Sequence, residues 1–325
     1  MIQFGNDKIK EIYHGSDKIK EVYHGNELVW SGSKPSYAIL TDGTRIDFEI
    51  ENTPIANLRT SSSSVVINGF SYTKTTIKEI YFGSSYSGVT EIGNYFLREC
   101  TSLTNVTLDF PALNSINNYF LFNCTSLTNV TMNFPALNSV RDAFLRNCTS
   151  LINLTMNFPA LNSVDGNFLT KCSSLTNVTL DFPALNSIGN NFLEGCSSLT
   201  NATLDFPALN SIGDYFLFYC TSLTNVTLDF PALNSINNYF LFNCTSLTNI
   251  TLNFPALNSV SDCFLFNCTS LTNVTLTAET PPITHNSGFL GNAPNVTAIH
   301  VPANSVNLYK TTSPWSSKSS IIKAI

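Results

Sequence analysis

Charge is what this chain lacks most. Charged residues fill 12% of its 325 positions, about half the share of an ordinary soluble domain. Hydrophobic residues fill 43%, which excludes a disordered chain, because disorder needs few apolar residues and many charges. A basic surplus is also missing. Sixteen Lys and Arg face 22 Asp and Glu, a net charge of −6, and nucleic-acid binding leaves a basic footprint instead. No run approaches the roughly 18 consecutive apolar residues of a membrane helix, so no membrane insertion is expected. After Met1, the residues Ile2, Gln3, Phe4, Gly5 and Asn6 supply neither the basic nor the apolar stretch of a secretory leader. Export by that route is not expected.

Catalytic signals are missing as well. The four histidines are His14, His24, His285 and His300, and none stands in a motif with a nucleophile or carboxylate. No phosphate loop or dinucleotide glycine pattern occurs. The chain reads as non-enzymatic, with no catalytic residue and no cofactor. Its nine cysteines suggest a disulfide framework by number alone, but their spacing does not. Cys100, Cys124, Cys148, Cys172, Cys196, Cys220, Cys244 and Cys268 recur every 24 residues, and only Cys263 is out of step. Metal ions need ligands clustered in one local fold, so no metal site is expected.

What the chain has is a repeat. Leu103, Val106 and Leu108 return as Leu127, Val130 and Met132, and again as Leu223, Val226 and Leu228. Val106 and Leu108 are two apart and share one side of a strand, with Thr107 on the other. Pro111 has no backbone N–H, so pairing stops before it, and Phe110, preceding a proline, is held extended. Ile116, Phe120, Leu121 and Cys124 then sit at i, i+4, i+5 and i+8, which predicts one short helical stretch. Strand 106–108 pairs in parallel with 130–132, placing equivalent residues about 4.8 Å apart. A period of 24 falls in the range of leucine-rich-repeat solenoids. The expected fold is such a repeat solenoid, with a parallel β-sheet on one side and short helical segments on the other. A small N-terminal β-meander precedes it.

A unit of this kind buries its apolar side only against neighbours, so the ends need caps. Ile77, Ile80 and Phe82 followed by Val89, Ile92, Phe96 and Leu97 form an irregular first turn with a two-residue insertion. Past Leu276 the repeat breaks at Thr280, Pro281, Pro282 and Ile283. A last strand is expected at Val296, Ile299 and Val301, with Tyr309, Trp315, Ile321 and Ile325 closing the core. The chain therefore divides into 1–34, a β-meander; 35–76, a β connector and N-terminal cap with a loop at Ser61 to Ser64; 77–276, the solenoid; and 277–325, the C-terminal cap.

These residues resemble the BspA-like (treponemal-type) leucine-rich repeats. Cys196, Leu199, Leu204, Pro207, Ile212 and Gly213 fit that family's pattern, and Ile299 to Lys310 with Trp315 resembles its closing segment. The likeness covers about 77–325. One extra residue before each proline makes the unit 24 residues long, and the family's Ala-Phe pair becomes Phe-Leu, as at Phe120 and Leu121. Gly after Ile remains only at Gly93, Gly189 and Gly213. By itself the family implies a bacterial cell-surface adhesin.

The N-terminus differs. Asp7 to Ser16 is echoed by Asp17 to Asn26, a ten-residue repeat of strands and glycine turns. It is similar to modules that open structural proteins of phages of Gram-positive hosts. This resemblance implies a virion surface protein, such as a tail-fibre or receptor-binding component. Residues 1–34 would dock on other virion proteins and the solenoid would recognise a host-surface glycan or protein, with a homo-oligomer as a further partner; the alternative role within the particle is a structural decoration or spacer. The implied location is the virion, with the bacterial surface as alternative.

Two residue sets are candidate binding surfaces. The concave strand face presents Asn105, Thr107 and Asp109, then Thr179, Asp181, Thr203, Asp205, Thr227 and Asp229. It serves either soluble stacking, since Thr suits strands, or glycan binding through repeated hydroxyls and amides. The second set is an outer stripe of Tyr215, Phe218, Tyr239, Phe242 and Phe266, whose three-residue spacing makes neighbours on a helical face. Contiguous exposed apolar surface marks an interaction site, here for a partner protein or a sister subunit.

Overall fold

The computed structural model describes residues 12–14, 17–19, 21–24, 27–31, 36–48, 64–67, 70–82, 88–284 and 289–325. Ser61 to Ser63 of the expected loop, His285 and much of 1–34 lie outside them. Ser64 begins a strand, Ser64–Ile67. The expected solenoid is present. Its first strand, Ile77–Tyr81, pairs in parallel with Asn105–Asp109, with Asn105 opposite Glu79. That offset is two residues longer than the offset from Asn105 to Asn129 in the next pair, as the insertion requires. Val106 and Leu108 are buried and Thr107 is exposed. The strand ends at Asp109, one residue before the Phe110 that precedes Pro111.

The expected helical segments are not there. Each unit instead continues into a two-residue strand, such as Ser115–Ile116, which pairs with Ser139–Val140 in a second parallel ladder. A turn follows in which every other residue is left-handed: Tyr119 at φ 63°, Leu121 at 51° and Asn123 at 59°. The reason is where the hydrogen bonds go. Tyr119 and Asn123 donate N–H to the following rung, at Asp142 and Arg146 O, while Leu121 donates to Phe96 O in the preceding rung. A helix would satisfy these groups internally, whereas a stack of rungs needs them aimed sideways. Left-handed geometry costs about 1–2 kcal/mol per non-glycine residue, and leaving buried backbone groups unpaired costs at least as much.

The interior is a set of vertical stacks. Phe rings from Phe110 to Phe254 lie over one another, as do those from Phe96 to Phe289, with most neighbours 5.0–5.8 Å apart. The eight in-step cysteines are buried and unbridged. From Cys124 onward each thiol donates to a leucine carbonyl of the rung before, as Cys196 Sγ does to Leu169 O at 3.2 Å.

Both ends are closed. Ser36–Leu40 pairs antiparallel with Ile77–Tyr81 and with Arg45–Phe48, which ends the parallel sheet. Part of the connector is thus a cap. At the other end Ala298–Val301 is followed by one more strand than expected, Ile322–Ala324. Tyr309 and Trp315 are fully buried, and their polar atoms donate to Ala278 O and Pro282 O, each at 2.9 Å. Ile325 does not close the core; it is 65% exposed, and Ile322 occupies the interior in its place. In the N-terminal stretch, Ile12–His14 pairs with Asp17–Ile19 and Glu21–His24 with Glu27–Ser31. Among the described residues these are two antiparallel hairpins, assigned to separate sheets.

Burial pushes the thiols of Cys100, Cys196 and Cys268 up to about 12 from 9.0. Those of Cys124, Cys148, Cys172, Cys220 and Cys244 are raised well above 9.0, again mainly by burial. A folded-state value above the unfolded one stabilises the fold fully below the unfolded value, and that contribution is lost as pH rises. Each thiol removes about 1.4 kcal/mol per pH unit above pH 9 until it ionises in the folded chain. The melting temperature is expected to stay level from about pH 7 to 8.5 and to fall steeply above 9. A level profile through about pH 10.5 contradicts a protonated, buried thiol ladder.

Candidate functional site

The strand-face candidates fall in one column set. Asn105 and Asp229 are half-buried, and Thr107, Asp109, Thr179, Asp181, Thr203, Asp205 and Thr227 are exposed. In-register pairing sets each residue opposite its equivalent, so Thr203 lies between Thr179 and Thr227, and Asp205 between Asp181 and Asp229. The asparagines pair with each other. Asn129 Nδ2 donates to Asn105 Oδ1 at 2.7 Å, Asn201 to Asn177 at 2.7 Å and Asn225 to Asn201 at 2.9 Å. In the next column Asn133 donates to Asp109 at 2.9 Å and Asn253 to Asp229 at 2.7 Å. The amide donors of the Asn105 column are engaged in this ladder and with the neighbouring threonine hydroxyls, as at Asn129, Asn201 and Asn225.

The outer stripe comes together, by a different route from the one expected. Tyr215, Phe218, Tyr239, Phe242 and Phe266 lie on the left-handed turns and are half-buried, not fully exposed. The turn itself brings positions three apart into contact, so Tyr215 meets Phe218 edge to face at 5.1 Å. Rung stacking does the rest: Tyr215 over Tyr239 at 4.8 Å, Phe218 over Phe242 at 5.1 Å and Phe242 over Phe266 at 5.3 Å. Such pairs contribute about 0.5–1.5 kcal/mol each beyond area burial. The cost of half-burial is loss of contact area, and its gain is a rigid array.

Sequence reasoning missed two features of this column. Tyr219 joins the stripe, 4.4 Å from Phe218, and is 45% exposed. A second aromatic group stands near the first rungs. Tyr95 stacks on Tyr119 at 5.2 Å, and Phe122 meets Tyr119 edge to face. The Arg98 guanidinium lies 5.3–5.5 Å from all three rings and pairs with Glu99 at 2.8 Å. The signal was available, since Tyr95 and Tyr119 occupy the same repeat position as Tyr215. Between the two groups the column turns small or polar, through Ala143, Asn167 and Asn191.

Among the described residues no group of three or more His, Cys, Asp or Glu is arranged to hold a metal ion. Among them also, no helix is long and apolar enough to cross a membrane.

The architecture defines a leucine-rich-repeat solenoid. The chain belongs to the BspA type leucine rich repeat region family, which it matches in six copies over residues 47–176, 90–224 and 162–292. Among solved structures it is similar to a leucine rich repeat protein of T. pallidum, at 13% identity and a TM-score of 0.42, over 71% of this chain and 88% of that one. It is also similar to a leucine-rich repeat protein of Bacteroides ovatus, at 17% identity and a TM-score of 0.40, over 89% and 98%. A leucine rich cell surface protein of Faecalibacterium prausnitzii matches at 15% identity and a TM-score of 0.33, over 96% and 95%. Comparison with curated protein sequences gives no match.

The amide ladder can be tested directly. Asn201→Ala removes the bonds to Asn177 and from Asn225 and is expected to cost about 1 kcal/mol in urea unfolding. Thr203→Ala, two residues along the same exposed face, is expected to cost less than half of that. Equal losses would show that the ladder adds nothing of its own.

Proposed function

We propose that the protein is a non-enzymatic attachment protein displayed on a phage particle. In this reading residues 1–34 dock on other virion proteins and the solenoid holds a protein of the host surface. The observation that carries the binding half of the reading is the Tyr215–Phe266 stripe. Its rings are fixed by mutual stacking before any partner arrives. A preordered contact surface binds more tightly because little freedom is left to lose. Aromatic residues are also the commonest anchors of protein interfaces. The strand face, whose amide donors are engaged in the ladder, serves cohesion. The particle half rests on the likeness of the ten-residue N-terminal repeat to phage modules.

Family membership favours a second reading, a bacterial surface adhesin with the same binding stripe. The two differ in where the protein is found. Detection in purified virions supports the first, and detection only on the bacterial surface replaces it with the second.

Binding is tested with the full chain on host cells. Tyr219→Ser with Phe242→Ser is expected to weaken cell binding about tenfold or more, the size of an interface anchor. Circular dichroism should report an unchanged solenoid. Unchanged binding would remove the stripe as the contact surface.

A further inference from the structure

The rungs do not stack evenly. On the strand face one sheet ends at Asn153–Asn157 and another begins at Asn177–Asp181. Strands pair at every other rung boundary of this face. The amide ladder parts here, as it also does between Asn225 and Asn249: Asn153 donates back to Asn129, while Asn177 donates to the hydroxyl of its own neighbour Thr176. Leu154 and Met156 are half-exposed, although their equivalents Val130 and Met132 are buried.

The far side of the same boundary is closed. Ser163–Val164 pairs with Ser187–Ile188. Gly189 donates N–H to Val164 O at 2.8 Å, and Leu193 donates to Phe168 O at 2.9 Å. Phe168 and Phe192 stack at 5.2 Å, whereas Phe158 and Phe182, nearer the strands, are 6.0 Å apart, the widest step in their stack. A Cβ on Gly189 would lie 2.7 Å from the backbone of Asp165 and Gly166, and one on Gly213, at the next boundary, 2.5 Å from that of Gly189 and Asn190, so both rims need glycine. The boundary after Asn157 is thus closed at the Gly189 rim, like its neighbour, but open at the strands.

Sequence departures fall on the same rung. The position before the ladder asparagine is Thr104, Thr128, Thr176, Thr200, Thr224, Thr248 and Thr272, but Ile152 in this rung. Several of those threonine hydroxyls donate to the preceding rung, as Thr128 does to Thr104 O at 3.0 Å. Ile152 has no hydroxyl and is 50% exposed. Leu154 also puts the only γ-branched side chain into a column that is Val at 106, 130, 178, 226 and 274, Ala at 202 and Ile at 250, and a changed side-chain shape strains a close-packed step.

We propose that this boundary is a hinge. The two halves of the solenoid swing about the Gly189 rim, and the edges Asn153–Asn157 and Asn177–Asp181 zip and unzip. Closure needs no change of register, because the facing residues are 24 apart as at the paired boundaries on either side. It regains a backbone ladder and an Asn153–Asn177 amide pair and buries Leu154 and Met156. The bulk of Ile152 and the branched shape of Leu154 oppose it.

Hydrogen exchange on the unmodified full chain reads the open state. Amides in 153–157 and 177–181 are expected to exchange at least about tenfold faster than those in 201–205, in line with a locally opening segment. Cross-linking reads the closed state. In a Cys263→Ser background, Thr155→Cys with Thr179→Cys should form a disulfide under mild oxidation, because a disulfide needs Cα atoms within about 7 Å. Thr203→Cys with Thr227→Cys, at a boundary paired in register, is the control, and the hinge pair is expected to link more slowly. Equal protection of all three segments overturns the proposal, because the boundary is then shut. A control that links while the hinge pair does not also overturns it, because the opening is then a fixed bend.

Discussion

Sideways hydrogen bonding between rungs is the constraint on which the other features depend. Once each unit's backbone donates and accepts along the stack, equivalent residues must lie over one another at about 4.8 Å. A phenylalanine then stacks on a phenylalanine, an asparagine amide meets an asparagine amide, and a thiol meets the carbonyl of the rung before. The left-handed turns follow from the same requirement. Alternating left-handed residues send successive N–H groups toward opposite neighbours, as Tyr119, Leu121 and Asn123 show, and the stack collects bonds a helix would keep within itself.

That register also explains the low charge content. Repeating a charged position would set like charges about 4.8 Å apart along the whole column, and directly opposed like charges destabilise a sheet. The acidic column bears this out. It reads Asp109, Asn133, Asn157, Asp181, Asp205, Asp229 and Asn253. Asparagine keeps the carbonyl acceptor, adds a donor, and turns two of these repulsions into bonds, at Asn133 to Asp109 and Asn253 to Asp229. The run Asp181, Asp205 and Asp229 is the exception: it stays uniformly acidic in register, with Asp181 and Asp205 exposed to screening solvent and Asp229 half-buried.

The period, the strand and the buried thiol stack were legible because each rests on a repeated position or on a residue with one conformational meaning, such as Pro111; of the C-terminal cap, the buried Tyr309 and Trp315 were legible but the strand Ile322–Ala324 was not. The helical expectation failed because i, i+4, i+5 and i+8 record only which residues face inward, and a turn with alternating handedness has the same inward set. The column containing Asn123, Asn147, Gly195, Asn243 and Asn267 held the missing signal, since asparagine and glycine are the residues that enter left-handed geometry most readily. The aromatic stripe was legible as a column. Its half-burial was not, because stacking between rungs depends on their separation. The opening between Asn157 and Asn177 was harder still, since it shows in sequence only as Ile152 and Leu154, two apolar residues in a pattern that is apolar already.

Stacking contacts and side-chain variation are separated by position in the rung. A strand-face substitution must satisfy two neighbours in register, which leaves little room for change. The turn positions that carry Tyr215 and Phe218 use their backbone for the stack and leave the side chain outside the core. The same position holds Tyr, Ala, Asn and Cys in different rungs, and its partner three residues on holds Phe, Arg, Thr and Glu, with the backbone retaining left-handed geometry from Tyr95 through Cys263. The fold therefore constrains the backbone at these positions far more than the side chain. Side chains change there from rung to rung, from the buried Ala143 and Thr170 to the half-buried rings of Tyr215 and Phe218, while the backbone of the stack stays the same.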